Sequence, residues 1–357
     1  MDNLLSDLVV IELASVLAGP LAGSFLSELG ARVIKVENSN IGGDVTRQWK
    51  HPSEDSENSI SAYYASANTG KEVIFLDLQN ETDYQKIINL ISKADVVISN
   101  FQKLTAEKLK VDYPTVKQIN QKIIFAQLVA YSYDDPRPGY DLIMQAETGY
   151  ISMNGTKEGG IAKLPVALID VIAGHQLKEA ILLGLITKLK SGKGSYAEVS
   201  LYKSGISSLA NQASNYLMNN HIPSPMGTLH PNIAPYGDIV TTNDDYLVIL
   251  GVGSDKQFEK LGKTLNLGAD LLHTFNLNKE RVVRRKELIT YLQATCRRIN
   301  YQELAAQLSI AKIPFCLVSD LSKVFTTPLA IEMIIDETIE GQPSSKVRNV
   351  AFDFRVN

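Results

Sequence analysis

The alternation of apolar and polar positions sets the frame of this chain. Residues 8–13 form a short run that is apolar except for Glu12 and reads as a mostly buried strand. Leu17-Ala-Gly-Pro20 then turns into a helix to about Leu29, with Pro20 in its first turn and Gly30 ending it. Arg32 to Glu37 reads as the next strand, and strand–helix–strand within thirty residues argues for a right-handed parallel βαβ unit. The alternation continues with strands at 72–76, 96–99 and 123–129 and helices at 81–93 and 113–119. Residues 38–70, rich in Ser, Asn and Gly, read as a long ordered loop of the kind that usually carries function.

Further on, residues 177–190 are apolar on most faces and predict a buried helix. A strand at 196–200 and a helix at 201–219 follow. The Pro/Gly-rich stretch 221–235 reads as a crossing into a second domain. That domain is predicted with strands near 238–241, 246–250 and 315–319, and helices at 255–264, 285–296 and 301–309. The expectation is therefore an α/β protein with a Rossmann-like parallel sheet in a large domain at 1–220. A smaller α+β domain follows at 221–330, and a tail at 331–357 returns to the large domain.

Composition changes this picture little. The chain has 357 residues, 45% hydrophobic and 21% charged, as in an ordinary globular protein. Its longest apolar run, Ala180 to Ile186, is far short of a membrane span, and MDNLLSDLVV has no basic segment of the secretory type. Two cysteines, Cys296 and Cys316, make neither a disulfide framework nor a zinc spacing and suit a reducing cytoplasm. A net charge of −4 gives no footprint for nucleic acid, and five scattered histidines predict no metal site. The first βα turn, ASVLAGPLAG, lacks the dinucleotide G-x-G-x-x-G pattern. Lys190-Ser-Gly-Lys-Gly194 lacks the spacing of a phosphate loop and reads as a glycine-rich helix end.

One residue stands out chemically. Asp170 is the single carboxylate inside Pro165–Gly174, among apolar or small residues. A charge there is costly unless paired, capped or used. It is expected either as the N-cap of the following helix or as a nucleophile, and the two are compatible, because a helix N-terminus favours an ionised carboxylate.

Six strings in register carry a resemblance. They are VVIELASVLAGPLAGSFLSELGARVIKVEN near the start, GGDVTR at 42–47 and Asn100-Phe101 after ADVVIS. The others are GYDLIMQAETGYISMNG with the Asp before Val-Ile-Ala-Gly, KSGKGSYAEVSLYKSG, and HPNIAPYGDIVTTNDDYLVI at 230–249. Together, from about Leu5 to about Ile335, they resemble the family III coenzyme A-transferases. The resemblance implies CoA transfer between carboxylic acids, with acyl-CoA as donor, a free acid as acceptor and no permanently bound cofactor. Asp170 would be the nucleophile. Val16 in the first βα turn, with Asn100, Phe101 and Lys108, would surround the nucleotide, and Arg137 and Tyr140 would lie nearer the thioester. It also implies a homodimer of interlocked rings and a Gly-rich loop over the site, for which Gly251-Val-Gly253-Ser254 is the candidate.

CoA carries phosphates, so a basic patch is needed, and Arg47, Lys71, Lys103, Lys108 and Arg137 are its candidates. Three departures stand against the family pattern. Lys71-Glu72 replaces a Lys-Arg pair, Gln102 replaces a common Arg, and the chain ends at Asn357, short of the usual C-terminal segment. Two alternatives remain. A racemase-like enzyme of the same fold would need a histidine where this chain has Tyr140, a poor base at neutral pH. A non-catalytic CoA-binding protein would not need an intact Asp170.

Overall fold

The computed structural model describes residues 4–355. They fall into two compact units. The first holds 4–152, 162–223 and 329–355, and the second 153–161 and 224–328. The short segment 153–161, which the sequence reading left in the large domain, belongs with the second unit.

The first unit is built on six parallel strands: β1 Val9–Leu13, β2 Arg32–Asn38, β3 Glu72–Leu76, β4 Val96–Ser99, β5 Ile124–Val129 and β6 Ser195–Ser200. Their order across the sheet is β3-β2-β1-β4-β5-β6, all parallel. Strand order therefore reverses between β1 and β4, and the crevice beyond the carboxyl ends of those two strands is where such sheets bind ligands. Neighbouring positions along each strand face opposite layers. Val10, Val33 and Val96 pack with Phe25, Ile169 and Leu177 on one side. Ile11, Ile34 and Val97 pack with Ile87, Ile91 and Val116 on the other. Each such fully buried aliphatic side chain contributes roughly 1.5–3 kcal/mol, and burial on both faces explains why apolar residues sit at adjacent positions in these strands.

The longer helices of this unit are α1 Ala18–Glu28, α2 Ala62–Asn68, α3 Glu81–Lys93, α4 Lys103–Lys108, α5 Tyr113–Ile119, α6 Asp141–Glu147, α7 Leu168–Ser191, α8 Leu201–Ser207 and α9 Ala210–Asn219. Several differ from the sequence reading. Within the supposed loop 38–70, Ser61 accepts the Tyr64 N–H and starts α2. Two 3₁₀ turns, at Ser39–Ile41 and Val45–Gln48, are capped by Asn38 and Asp44. The predicted helix 201–219 breaks at Ala210, whose φ of 46° interrupts the helical run.

Helix α7 begins nine residues earlier than predicted, so Asp170 is its third residue and not its cap. It packs closely on α1 because Gly174 lacks a Cβ, which would stand 3.0 Å from the Ala18 carbonyl oxygen. The helix is not buried throughout. Its second half exposes Leu183 and Leu189. It ends as the glycine-rich string suggested, at Gly192 in the left-handed region.

The C-terminal segment forms a hairpin of Ile334–Ile339 and Gln342–Val347. It is held to the first unit by Glu28, which accepts from Lys346, Asn349 and Val350, and by the Arg47–Glu340 pair.

The second unit carries an antiparallel three-stranded sheet of Tyr236–Thr241, Leu247–Gly251 and Phe315–Leu317. Helices around it enclose their own core, with Phe258, Leu261, Leu288 and Leu304 buried. Two short helices, Ala269–Thr274 and Asn278–Val283, escaped the sequence reading.

Candidate active site

The crevice at the β1/β4 reversal is tied together by Asn100. Its side chain accepts the Ser15 N–H at 3.2 Å and donates to the Ser15 carbonyl at 2.9 Å. Val16, the next residue, sits at φ 72°, a conformation that costs a β-branched side chain energy and persists only where its surroundings demand it. Here the demand comes from Asp44, whose carboxylate accepts the Val16 N–H at 3.2 Å. Asp44 itself is fixed by Thr46 and by the buried ammonium of Lys35.

Two cavities flank this loop pair. One, of about 470 Å³, is lined by residues at the ends of β1, β2 and β3 together with Phe101 and Lys108. The other, of about 570 Å³, is lined by Val16, Asn100, Phe101, Arg137 and Tyr140. Ser15, Phe101 and Thr105 form walls of both, so the two adjoin at the switch point. Six of the residues expected around CoA are thus brought together. Lys108 is exposed and has no ion-pair or hydrogen-bond partner among the described residues, so its ammonium is free to meet an anion. Arg137 lies 3.7 Å over the Tyr131 ring and is held by Asp135 at 2.7 Å. Exposed Tyr140 caps the start of α6 by its backbone alone.

Lys71 is a correction. Its ammonium is sealed from solvent and bonded to both oxygens of Glu12 at 2.9 and 2.7 Å, to the Pro20 carbonyl and to Asn68. It therefore does not offer a charge to phosphate. Arg47 is likewise consumed, by Glu37, Glu340 and the Tyr64 hydroxyl, and Lys103 pairs with Asp134. Of the five candidate cations, Lys108 alone lines a cavity with an uncommitted charge.

Asp170 is 7% exposed, in the first turn of α7. No described side chain or N–H donates to its carboxylate. Burial first, and then the like charge of Asp141, push it up to about 7. The sequence reading expected the helix N-terminus to favour an ionised carboxylate; burial and the charge of Asp141 work against it. Tyr63, on α2, feels the same charge. Burial and then Asp170 raise its hydroxyl to about 12, and its ring meets Trp49 edge-on at 5.1 Å.

Asp141 and Gln145 also stand at this end of α7, and the sequence reading did not single them out. Their signal was present in GYDLIMQ, which puts Asp and Gln one helical turn apart. The second-unit candidate, Gly251–Ser254, ends a strand and starts a helix. Ser254 caps that helix, and the Gly253 N–H is taken by Gln257 at 2.9 Å. Among the described residues no three His, Cys, Asp or Glu side chains converge as metal ligands.

The arrangement is a pair of adjoining cavities at a switch point, with Tyr140 on the wall of one and, next to it in sequence, Asp141, whose carboxylate accepts the Asp170 N–H; Asp170 itself is not among the residues that line either cavity. The family model of CoA-transferase family III matches residues 5–357. The chain belongs to CoA-transferase family III. Relatives agree with it. A succinate–glutarate CoA-transferase of Agrobacterium fabrum is 36% identical over 91% of this chain and 82% of its own length. A human succinyl-CoA:glutarate CoA-transferase is 31% identical over 92% of this chain and 75% of its own. A CAIB/BAIF family protein of Brucella suis, solved by crystallography, superimposes with a TM-score of 0.83 at 33% identity, over 99% of this chain and 93% of its own. As a family III CoA-transferase, the protein is an enzyme that uses CoA thioesters as substrates.

Proposed function

We propose that this CoA-transferase moves CoA between carboxylic acids through a covalent intermediate on Asp170. The observation that carries the reading is a buried carboxylate with no donor among the described residues, in the first turn of a 24-residue helix. In the first step an Asp170 oxygen bonds to the thioester carbon, the C–S bond breaks, and its electron pair leaves on sulfur as CoA thiolate. A thiol with a pKa near about 8.5 is a good leaving group, so no auxiliary base is needed. The thiolate then attacks the Asp170 carbonyl carbon and expels the donor acid, leaving Asp170 as its CoA thioester. The acceptor carboxylate enters by the reverse sequence. Protons balance without net transfer.

The crevice at the β1/β4 reversal is assigned to CoA. Phe101 stands between the two cavities, where an adenine can stack on it. Lys108 meets phosphate, Val16 and Asn100 surround the nucleotide with Phe101, and Arg137 and Tyr140 lie nearer the thioester. Among acids, short dicarboxylates of the succinate and glutarate type are the first to test, because the relatives' names point to them. A racemase reading gains nothing from the geometry, since Tyr140 stands in place of the needed base. The enzyme acts as a homodimer. The exposed Leu183 and Leu189 of α7 and Leu217 and Met218 of α9 are apolar surface that a second copy would cover. Free Cys296 and Cys316 suit a reducing cytoplasm.

The test is mass spectrometry of purified protein mixed with a panel of acyl-CoAs and free acids. Exchanged CoA esters support the reading, and hydrolysis or no reaction across the panel contradicts it. Sedimentation of a stable monomer at micromolar concentration would remove the dimer.

A further inference from the structure

The nucleophile's helix lacks a cap of its own. Its N-cap residue is Ala167, which has no side-chain acceptor. The missing acceptor comes from 28 residues upstream. Asp141, 8% exposed at the start of α6, accepts the N–H of Ile169 at 2.8 Å and of Asp170 at 3.3 Å through the same Oδ1. Its Oδ2 accepts from Gln145 Nε2 at 2.5 Å. Gln145 is 1% exposed and reaches the strand of chain that leads into α7. Its Oε1 accepts the Leu164 N–H at 2.8 Å, and its Nε2 is 3.4 Å from the Val166 carbonyl. Residues 164–170 are thereby held at four backbone points by two side chains of another helix.

A carboxylate could cap a helix end without serving chemistry, and a local Ser or Asp at position 167 would do that more simply. What a local cap could not do is fix the whole approach segment from 164 to 170.

We propose that Asp141 and Gln145 are positioning residues for the transfer reaction. Gln145 sets where the Asp170 carboxylate stands, and Asp141 both sets its place and holds a like charge behind it. The inference rests on the reading of Asp170 as nucleophile. Among the described residues the charged group that acts on Asp170 is Asp141 from α6, and Tyr63 from α2 in turn feels the charge of Asp170. A more basic carboxylate attacks a thioester faster, and it remains ionised above neutral pH, so the charge of Asp141 favours the reaction as long as the site stays dry. Misplacing a reacting atom by an ångström costs up to about a hundredfold in rate, so the clamp also has kinetic weight.

The test uses the full chain and three readouts: steady-state kinetics against pH, thermal stability, and the 13C resonance of Asp170 in protein labelled at aspartate Cγ, assigned with Asp170→Asn. Asp141→Asn keeps shape and removes charge. It should lower the Asp170 titration midpoint by roughly half a pH unit or more, move the acid limb of the rate profile with it, and lower kcat roughly tenfold while the KM for acyl-CoA stays within about twofold. Gln145→Met removes the clamp without changing charge. It should lower kcat and leave the midpoint where it is. Wild-type midpoint and wild-type kcat in folded Asp141→Asn would overturn the proposal, as would losses confined to melting temperature in both variants. Should Asp141→Asn fail to fold, Gln145→Met decides: reduced kcat at unchanged KM supports the proposal, and wild-type kcat ends it. A wild-type protein that transfers nothing, yet whose Asp170 midpoint falls in Asp141→Asn, would sink the transferase mechanism and leave the electrostatic coupling standing.

Discussion

Removing the Asp170 charge should stabilise the folded protein at alkaline pH even as it abolishes function. A carboxyl whose folded pKa exceeds its unfolded value holds its proton more tightly when folded, so stability falls as pH rises from about 4 and the full loss is present above the folded value. For Asp170 those limits are 3.8 and about 7. At about 1.4 kcal/mol per pKa unit, the ceiling on the penalty is roughly 4 kcal/mol. Asn in its place escapes the charge penalty but leaves a buried amide short of partners, at about 1–3 kcal/mol. The net gain is therefore about 2 kcal/mol above pH 8. For a unit of this size, that is about 4–8 °C in Tm. The assay is thermal unfolding of wild type and Asp170→Asn at pH 5 and pH 8.5. The variant should melt several degrees higher at pH 8.5 and lose most of that advantage at pH 5, where the wild-type carboxyl is already protonated. An advantage independent of pH, or none at pH 8.5, would show that Asp170 is solvated or paired and that its raised pKa is not real.

Other outcomes follow from the same geometry. Lys108→Glu should raise the KM for acyl-CoA roughly three- to tenfold with a smaller effect on kcat, because a remote phosphate contact supplies mostly uniform binding; an unchanged KM removes Lys108 from the site. Lys71→Met should lower stability by about 3–5 kcal/mol in denaturant titration, since it strips a buried partner from Glu12, while the folded fraction keeps its acyl-CoA KM. The kcat/KM of transfer should fall tenfold per pH unit below about 7 as Asp170 takes up its proton; a profile flat down to pH 5 would place the working carboxylate elsewhere.

How far the sequence reached is best seen in particular residues. The strands at 72–76 and 96–99 and the helices at 81–93 and 113–119 have the predicted boundaries: 96–99 is buried on both faces, 72–76 is an edge strand whose apolar run is bounded by Lys71-Glu72 and Asp77, and the helices carry side-chain caps at Asn80 and Asp112. The start of α7 was not legible. Its cap is Asp141, a residue distant in sequence, and local capping rules cannot see such a partner. The fate of Lys71 was hidden for the same reason. It reads as one more surface cation until Glu12, Asn68 and the Pro20 carbonyl are seen to enclose it. Lys108, Asn100 and Phe101 could be named from motif register, but the joining of the two cavities around Ser15 and Phe101 depends on strand order. The exposed half of α7 defeated a reading based on apolarity, which does not distinguish a core helix from one with an exposed apolar face.

The most direct measurement is a chemical trap at Asp170. Wild-type protein given acyl-CoA and then hydroxylamine should convert the activated carboxyl to a hydroxamate, and peptide mapping should find the mass change on the peptide containing Asp170 and nowhere else. Asp170→Asn, folded and checked for deamidation, should show neither the hydroxamate nor transfer. A hydroxamate on another residue, or an Asp170→Asn variant that transfers CoA at the wild-type rate, would contradict the assignment of Asp170 as the nucleophile.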